Sequence, residues 1–142
     1  MKFILSLLMC SFIWVSAPVA AQDTPVIVIL GDSLSAGYGM DKNDSWVYLL
    51  EQRLKENNHT FKILNSSISG DTTQGGLGRL PRLLDRYQPE LVIIELGGND
   101  GLRGINPETT RQNIQTMIVE SQAAGANVLL AGIKLPPNYG PT

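Results

Sequence analysis

The chain has 142 residues, with 11 Lys and Arg against 13 Asp and Glu, so its formal net charge is −2. This length fits one domain. A nearly neutral chain without a stripe of basic residues gives no support for binding nucleic acid or an anionic membrane surface. The single cysteine, Cys10, and the single histidine, His59, are too few for a metal site, so we expect no metal and no cofactor.

The first 21 residues have the pattern of a secretory signal peptide. A basic Lys2 precedes an apolar run over 3–15, and small residues at 19–21 form a cleavage site. The run is too short for a stable membrane span, which needs about 20 residues. We therefore expect a mature chain over 22–142 that is periplasmic or secreted, and a retained anchor at the membrane interface is the alternative.

Strand and helix patterns alternate through the rest of the chain. The apolar run 25–30 is typical of a strand buried on both faces. Glycines over 75–78 indicate a loose entry to a helix, with Pro81 in its first turn. We expect strands over 25–30, 61–65, 91–96 and 127–133, and helices over 45–56, after 75–78, and from Asn106-Pro107 to a cap at Gly125. The side chains expected to face inward from these helices include Trp46, Leu49, Leu50, Leu54, Leu80, Leu83, Leu84, Tyr87, Ile114, Met117, Ile118 and Ser121.

The alternation of elements predicts a three-layer α/β/α fold with a parallel sheet, because right-handed crossovers place helices on both faces. In doubly wound sheets, including the flavodoxin-like order 2-1-3-4-5, ligands bind beyond the carboxyl ends of the strands. Three polar motifs follow such ends here: Gly31–Ser35, Ser69–Asp71 and Gly97–Asp100. Their shared position predicts a single functional site.

Ser33 is the candidate nucleophile of that site. A serine hydroxyl needs a base to take its proton and hydrogen-bond donors for the developing oxyanion. The N–H of Ser33, the N–H of Gly70 and the side-chain amide of Asn99 are suitable donors, and we expect Gly31 and Ser35 to leave room for a substrate carbonyl. Each motif taken alone also fits a helix cap, a tight turn or an Asx turn.

The remaining polar residues of the motifs are predicted to support the loops. Asp32, Asp71 and Asp100 each adjoin a motif residue, and we expect them to hold loop backbones through N–H bonds. His59 lies between a helix and the second strand, on the opposite side of the sheet from Ser33. We expect it to be a solvated surface residue, so no plausible general base accompanies the candidate nucleophile.

Together these motifs resemble the SGNH (GDSL) hydrolases. Gly31–Ser35 is similar to the serine block of that family, Gly70 to its glycine block and Gly97–Asp100 to its asparagine block. Two further segments, 95–103 and 135–140, resemble the exported thioesterase and lysophospholipase group, often called arylesterases. The resemblance implies a flavodoxin-like α/β/α fold, with Ser33 as nucleophile and Ser33, Gly70 and Asn99 as the oxyanion hole.

The resemblance also implies which substrates the protein hydrolyses and which catalytic block of the family the sequence lacks. It implies hydrolysis of small-molecule esters and thioesters, or of lysophospholipids, through an acyl-serine. The family's catalytic Asp-x-x-His block has no counterpart, so 22–142 is expected to be an incomplete domain, truncated after strand 4 and poorly active. Alternatives are a non-catalytic binding module on the same scaffold and a carbohydrate acetyl-esterase. A phosphate loop is disfavoured because the chain lacks the glycine-lysine pattern.

Overall fold

The computed structural model describes residues 24–132, which form one parallel sheet with helices on both faces. The predicted signal peptide and the segment 133–142 lie outside the described residues. The strands are β1 (Val26–Gly31), β2 (Lys62–Asn65), β3 (Leu91–Glu95) and β4 (Asn127–Leu130). The helices are α1 (Ser33–Ala36), α2 (Trp46–Glu56), α3 (Thr73–Tyr87), α4 (Gly98–Leu102) and α5 (Pro107–Ala123), and a short 3-10 turn, Lys42–Asp44, precedes α2.

The strands lie in the order β2-β1-β3-β4, and every pair is parallel. Ile27 of β1 is in register with Ile63 on one side and Leu91 on the other. The predicted α/β fold and the flavodoxin-like strand order are therefore confirmed for these four strands. The two central strands, β1 and β3, are the most apolar, because both of their faces are covered.

The helices divide the core into two clusters. Under α3 and α5, the sheet residues Val28, Leu30 and Ile94 pack with Leu80 and Met117. Under α2, the residues Ile27, Ile29 and Ile93 pack with Val47. Both clusters consist of alternate side chains of the same strands, as the period of two in a strand requires. No helix within residues 24–132 is long and apolar enough to cross a membrane.

The expected inward face of α2 was partly wrong. Leu49 is 55% exposed, whereas Val47 is buried. The inward stripe runs through Val47, Leu50 and Leu54 at positions i, i+3 and i+7. Leu49 lies one residue away from Leu50, about 100° around the helix, and so faces solvent.

The expected start of α3 was wrong. The helix begins at Thr73, and Thr72 caps it by accepting a hydrogen bond from the Gly75 N–H at 3.4 Å. The glycines over 75–78 therefore lie within the helix, and Pro81 lies in its exposed interior rather than its first turn. Gly76 is buried where a Cβ would meet Leu96, so this glycine is explained by close packing of the helix.

Candidate active site

Ser33 opens the short helix α1 directly after the carboxyl end of β1. Asp32 caps that helix, and its Oδ1 accepts a hydrogen bond from the Leu34 N–H at 3.0 Å. A side chain at Gly31 would bring its Cβ to 2.6 Å from Ser35 Oγ and 2.9 Å from Ser67 Oγ. Glycine is therefore required at this position to bring the Ser33 loop close to its neighbours.

Ser35 does not line the opening of the site, contrary to the expectation. It is fully buried, and its hydroxyl donates a 2.7 Å hydrogen bond to Oε2 of Glu95 at the end of β3. The Asp32 N–H reaches the same oxygen at 3.4 Å. Glu95 at the end of β3 therefore binds both sequence neighbours that surround Ser33, Asp32 directly before it and Ser35 two residues after it.

The Glu95 carboxyl lies in an unusual environment. It is only 6% exposed, and its other oxygen, Oε1, is buried without a hydrogen-bond partner among residues 24–132. Burial raises its pKa above the ordinary value, and the nearby Asp32 charge acts in the same direction. The hydrogen bond from Ser35 acts against these effects because it stabilises the charged form.

Gly70 lies in the loop between β2 and α3, at the same edge of the sheet. Its φ of +79° is a left-handed conformation that glycine adopts without strain. Its carbonyl accepts a 2.6 Å hydrogen bond from the Arg103 guanidinium. Next to it, Asp71 accepts the Thr72 N–H at 3.0 Å and forms an ion pair with Arg79. These contacts fix the backbone of the Gly70 loop on both sides.

Asn99 joins the two loops. It lies on α4, which follows β3 through Gly97 at a φ of +118°. Its Nδ2 donates to Asp32 Oδ2 at 3.0 Å and to the Asp71 carbonyl at 2.9 Å. The structure therefore brings the neighbour of Ser33, the neighbour of Gly70 and Asn99 itself into direct contact at one edge of the sheet.

Asp100 points away from this contact and into the protein, where it is 1% exposed. It accepts the Thr73 N–H at 2.9 Å and the Thr73 hydroxyl, and Thr110 Oγ1 lies 3.3 Å away. Asn113 of α5 donates to the same Thr73 hydroxyl at 3.0 Å. This buried network ties α3, α4 and α5 together behind the Gly70 loop.

His59 lies apart from this site. It is exposed after the end of α2 and precedes the amino end of β2, at the edge of the sheet opposite Ser33. Across the described residues, no group of three or more His, Cys, Asp or Glu side chains is arranged to hold a metal ion.

Sequence reasoning missed several residues that build the site, among them Glu95, Arg79, Thr73 and Asn113. Glu95 carried a usable signal, since it is the one charged residue in the apolar stretch 91–96. The others gave none, because their partners lie 8 to 48 residues away in the sequence. Arg79, for example, also reaches the carbonyls of Ser66 and Gly31 at 3.2 and 3.4 Å.

Comparison with known proteins gives several matches. Esterase TesA of Pseudomonas aeruginosa is 53% identical over 115 residues, which are 81% of this chain and 57% of TesA. Thioesterase 1/protease 1/lysophospholipase L1 of Escherichia coli K12 is 50% identical over 85% of this chain and 56% of that protein. A crystal structure of TesA superposes with a TM-score of 0.80 at 52% identity, covering 82% of this chain and 64% of that one.

These matches fix the family. The chain spans less than two thirds of the length of these curated relatives. The model of the GDSL-like lipase/acylhydrolase family matches residues 29–142, which include all three motifs of the site. With that match, and with about half of the aligned residues identical to those of esterase and thioesterase relatives, the chain belongs to the GDSL-like lipase/acylhydrolase family.

Proposed function

We propose that this site is the nucleophile and oxyanion part of a serine hydrolase that cleaves carboxylic esters and thioesters, lysophospholipids among them. The observation that carries the proposal is the pair of hydrogen bonds from Asn99 to Asp32 and Asp71. These two bonds hold the Ser33 loop and the Gly70 loop next to the Asn99 amide, which is the third proposed donor to the oxyanion. The names of the relatives supply the substrate classes.

In the proposed reaction, Ser33 Oγ attacks the substrate carbonyl carbon and the alcohol or thiol leaves, which gives an acyl-serine that water then hydrolyses. The N–H groups of Ser33 and Gly70 and the Asn99 amide donate to the oxyanion. Asn99 already directs Nδ2 at two acceptors, so an entering oxyanion takes the place of one of them. The supporting residues Asp32, Asp71 and Asp100 keep these donors in place.

The proton acceptor for Ser33 comes from outside the described residues. His59 is the single histidine of the sequence, and it lies at the opposite edge of the sheet. In a comparable serine hydrolase, loss of the base costs about 10⁶ in kcat. These 142 residues alone are therefore proposed to retain only the weak activity that oxyanion donors support, and full activity requires a base that they do not contain.

The proposed location of the enzyme is the periplasm or the exterior of the cell. This rests on the sequence pattern of residues 1–21, with Lys2, an apolar run and small residues before the cleavage site. The expected mature domain is 22–142. To test this part of the proposal, the chain is expressed and the exported fraction is separated from the rest of the cell. Mass spectrometry of the exported protein then identifies the N-terminus of the mature chain.

A hybrid protein tests the reaction. The chain is joined to the part of Pseudomonas aeruginosa TesA that it does not match, and hydrolysis of a p-nitrophenyl ester and labelling by a fluorophosphonate are measured. Ser33→Ala is expected to abolish the label and lower kcat by about 10⁶. Asn99→Ala is expected to lower kcat by about 10²–10³, with a smaller change in KM, because its donor acts on the transition state.

Ser69→Ala provides the matched control, because Ser69 is an exposed serine in the neighbouring loop. It is expected to keep both the label and the turnover. Equal labelling of the Ser33→Ala hybrid would remove Ser33 from the mechanism. A hybrid that binds ester substrates but never turns them over would instead support a non-catalytic binding module.

A further inference from the structure

Arg79 lies in α3, and its guanidinium joins three separate points around the candidate site. Its Nε donates to the Ser66 carbonyl at 3.2 Å, at the start of the loop that carries Gly70. Its Nη2 donates to the Gly31 carbonyl at 3.4 Å, at the end of β1. Its Nη1 forms an ion pair with Asp71, directly after Gly70. One side chain therefore binds both ends of the Gly70 loop and the strand end that leads to the candidate nucleophile.

The ion pair between Arg79 and Asp71 is mostly removed from water. The two side chains are 20% and 13% exposed, whereas those of the surface pair between Arg111 and Glu108 are both more than half exposed. The attraction between partly buried charges is screened less by salt than that between surface charges. A buried ion pair is nevertheless weak evidence for stability, so the contacts of Arg79 with the site loops point to a different role.

Gly70 is the third residue of a four-residue turn, and its φ of +79° is typical of that position in a type II turn. The Asp71 N–H closes the turn on the Ile68 carbonyl at 3.0 Å. The Ile68 N–H in turn donates to the Gly31 carbonyl at 3.1 Å, and that carbonyl also accepts from Arg79. Arg79 therefore holds the start of the turn through Gly31 and its end through Asp71.

Asp71 connects this turn to the third proposed donor. Its carbonyl accepts Asn99 Nδ2 at 2.9 Å, and its carboxylate is bound by Arg79. Gly75 leaves room for that carboxylate, because a Cβ at this position would overlap it. The position of Asp71 therefore affects both the Gly70 turn and the Asn99 amide.

We propose that Arg79 is a positioning residue that fixes the relative positions of the three oxyanion donors without itself donating to the oxyanion. This role rests on the proposed hydrolase function of the site. Such donors accelerate a reaction only when they are already aimed at the place where the charge develops. A guanidinium suits this role because its nitrogens lie in one rigid plane, so its three acceptors are held at fixed separations.

Amide signals of the chain itself test the positioning without any reaction. In nuclear magnetic resonance spectra, the N–H groups of Ser33 and Gly70 and the side-chain NH₂ of Asn99 report on the three donors. Arg79→Ala is expected to shift or broaden all three signals. Arg82→Ala is the matched control and should leave them unchanged, because Arg82 is an exposed arginine one turn later in α3. Arg79→Lys, which keeps the charge, is measured as well, so that loss of the fold in Arg79→Ala leaves the test intact.

Turnover of the hybrid with the TesA segment tests the consequence for the reaction. Arg79→Ala is expected to lower kcat roughly 10- to 100-fold and to change KM less than about twofold, because misplaced donors weaken binding of the transition state alone. Arg79→Lys should have an intermediate kcat, since its Nζ replaces the charge beside Asp71 but cannot make all three contacts. Millimolar guanidinium ion is expected to restore part of the kcat of Arg79→Ala and to leave Arg82→Ala unchanged, a rescue that a lost fold would not permit.

A second pair of variants displaces Asp71 and leaves Arg79 in place. Gly75→Ala puts a Cβ against the Asp71 carboxylate, whereas Gly78→Ala puts one where nothing lies within 4 Å. Both add one methyl group to α3, so the change in helix propensity is the same. Gly75→Ala is expected to lower kcat roughly tenfold, and Gly78→Ala to keep it.

Circular dichroism establishes which variants remain folded. The positioning role is overturned if the folded Arg79 variants leave the three donor signals where they are, or if the Arg79→Ala and Arg82→Ala hybrids have the same kcat. It is also overturned if Arg79→Ala raises KM while kcat stays unchanged. An inactive wild-type hybrid, together with the expected shifts of the donor signals, would contradict the proposed reaction and support the placement of the donors by Arg79.

Discussion

Hydrogen bonding and burial have opposite effects on the pKa of Glu95. Its Oε2 accepts hydrogen bonds from Ser35 and Asp32, which favours the charged carboxylate. Its burial favours the neutral acid, and burial is the larger effect, so the pKa is raised. The loop that carries Ser33 is therefore held by a carboxyl group whose neutral form is favoured more than that of an exposed glutamate.

The raised pKa predicts how stability depends on pH. The folded protein holds the Glu95 proton more tightly than the unfolded chain does, so the resulting stabilisation is present below the unfolded pKa and is lost as pH rises through the folded pKa. Glu95→Gln removes this dependence. We expect the free energy of unfolding, measured by urea denaturation from pH 4 to pH 8, to fall more with rising pH in the wild type than in Glu95→Gln.

Ser35→Ala serves as the matched comparison. It removes the hydrogen bond that stabilises the charged form of Glu95, so the pKa rises further and the loss of stability moves to higher pH. Parallel pH profiles for all three proteins would show that Glu95 does not titrate differently in the folded and unfolded states.

At the scale of single residues, sequence reasoning predicted where Ser33, Gly70 and Asn99 lie but not how they are held. Their positions follow from the ends of apolar strands, which are visible in the sequence. The bonds from Asn99 to Asp32 and Asp71 depend on side-chain directions in three loops, and no local pattern records those directions. The roles of the three residues in catalysis stay predictions.

At the scale of elements, α3 shows how packing overrides local propensity. Glycine and proline disfavour a helix interior, and this led to the expectation of a loose entry over 75–78. The helix forms because Thr72 caps it and because Leu80 and Leu84 bury an apolar stripe. The close packing of Gly76 on Leu96 requires a glycine at this position, although glycine by its local propensity disfavours a helix.

Two alanine substitutions in α3 are expected to have opposite effects. Gly78→Ala places a Cβ where nothing lies within 4 Å, so it should raise the free energy of unfolding by about 0.5–1 kcal/mol through helix propensity. Gly76→Ala places a Cβ against the buried Leu96 and 3.4 Å from Met117 Sδ. Overpacking should lower the free energy of unfolding by about 1–3 kcal/mol. Thermal and urea denaturation measure both values.

Each of these two variants controls the other, because both exchange glycine for alanine within one helix. If Gly76→Ala stabilised the protein as much as Gly78→Ala, Leu96 would have to move aside at no cost. That result would contradict the tight contact between α3 and the end of β3.

At the scale of the whole molecule, the parallel sheet could be predicted because apolar runs and helical patterns alternate along the chain, whereas the flavodoxin-like strand order was implied only by the resemblance to the SGNH (GDSL) hydrolases. Once that order is known, the face on which each helix lies follows, because the crossovers between parallel strands are right-handed. Within residues 24–132, β4 is an edge strand, and its Leu129 and Leu130 are 51% and 49% exposed on opposite faces.

This exposed edge predicts self-association of the chain. Unpaired N–H and C=O groups beside apolar side chains promote pairing with another strand, and a charged residue on the edge opposes it. Leu130→Lys should therefore raise the temperature at which light scattering begins during heating. Because Leu130 is half-exposed, the free energy of unfolding should change by less than about 1 kcal/mol. Val119→Lys adds the same charge on exposed α5 and should leave edge pairing unchanged. An equal delay of scattering in both variants would attribute the effect to net charge rather than to the edge of β4.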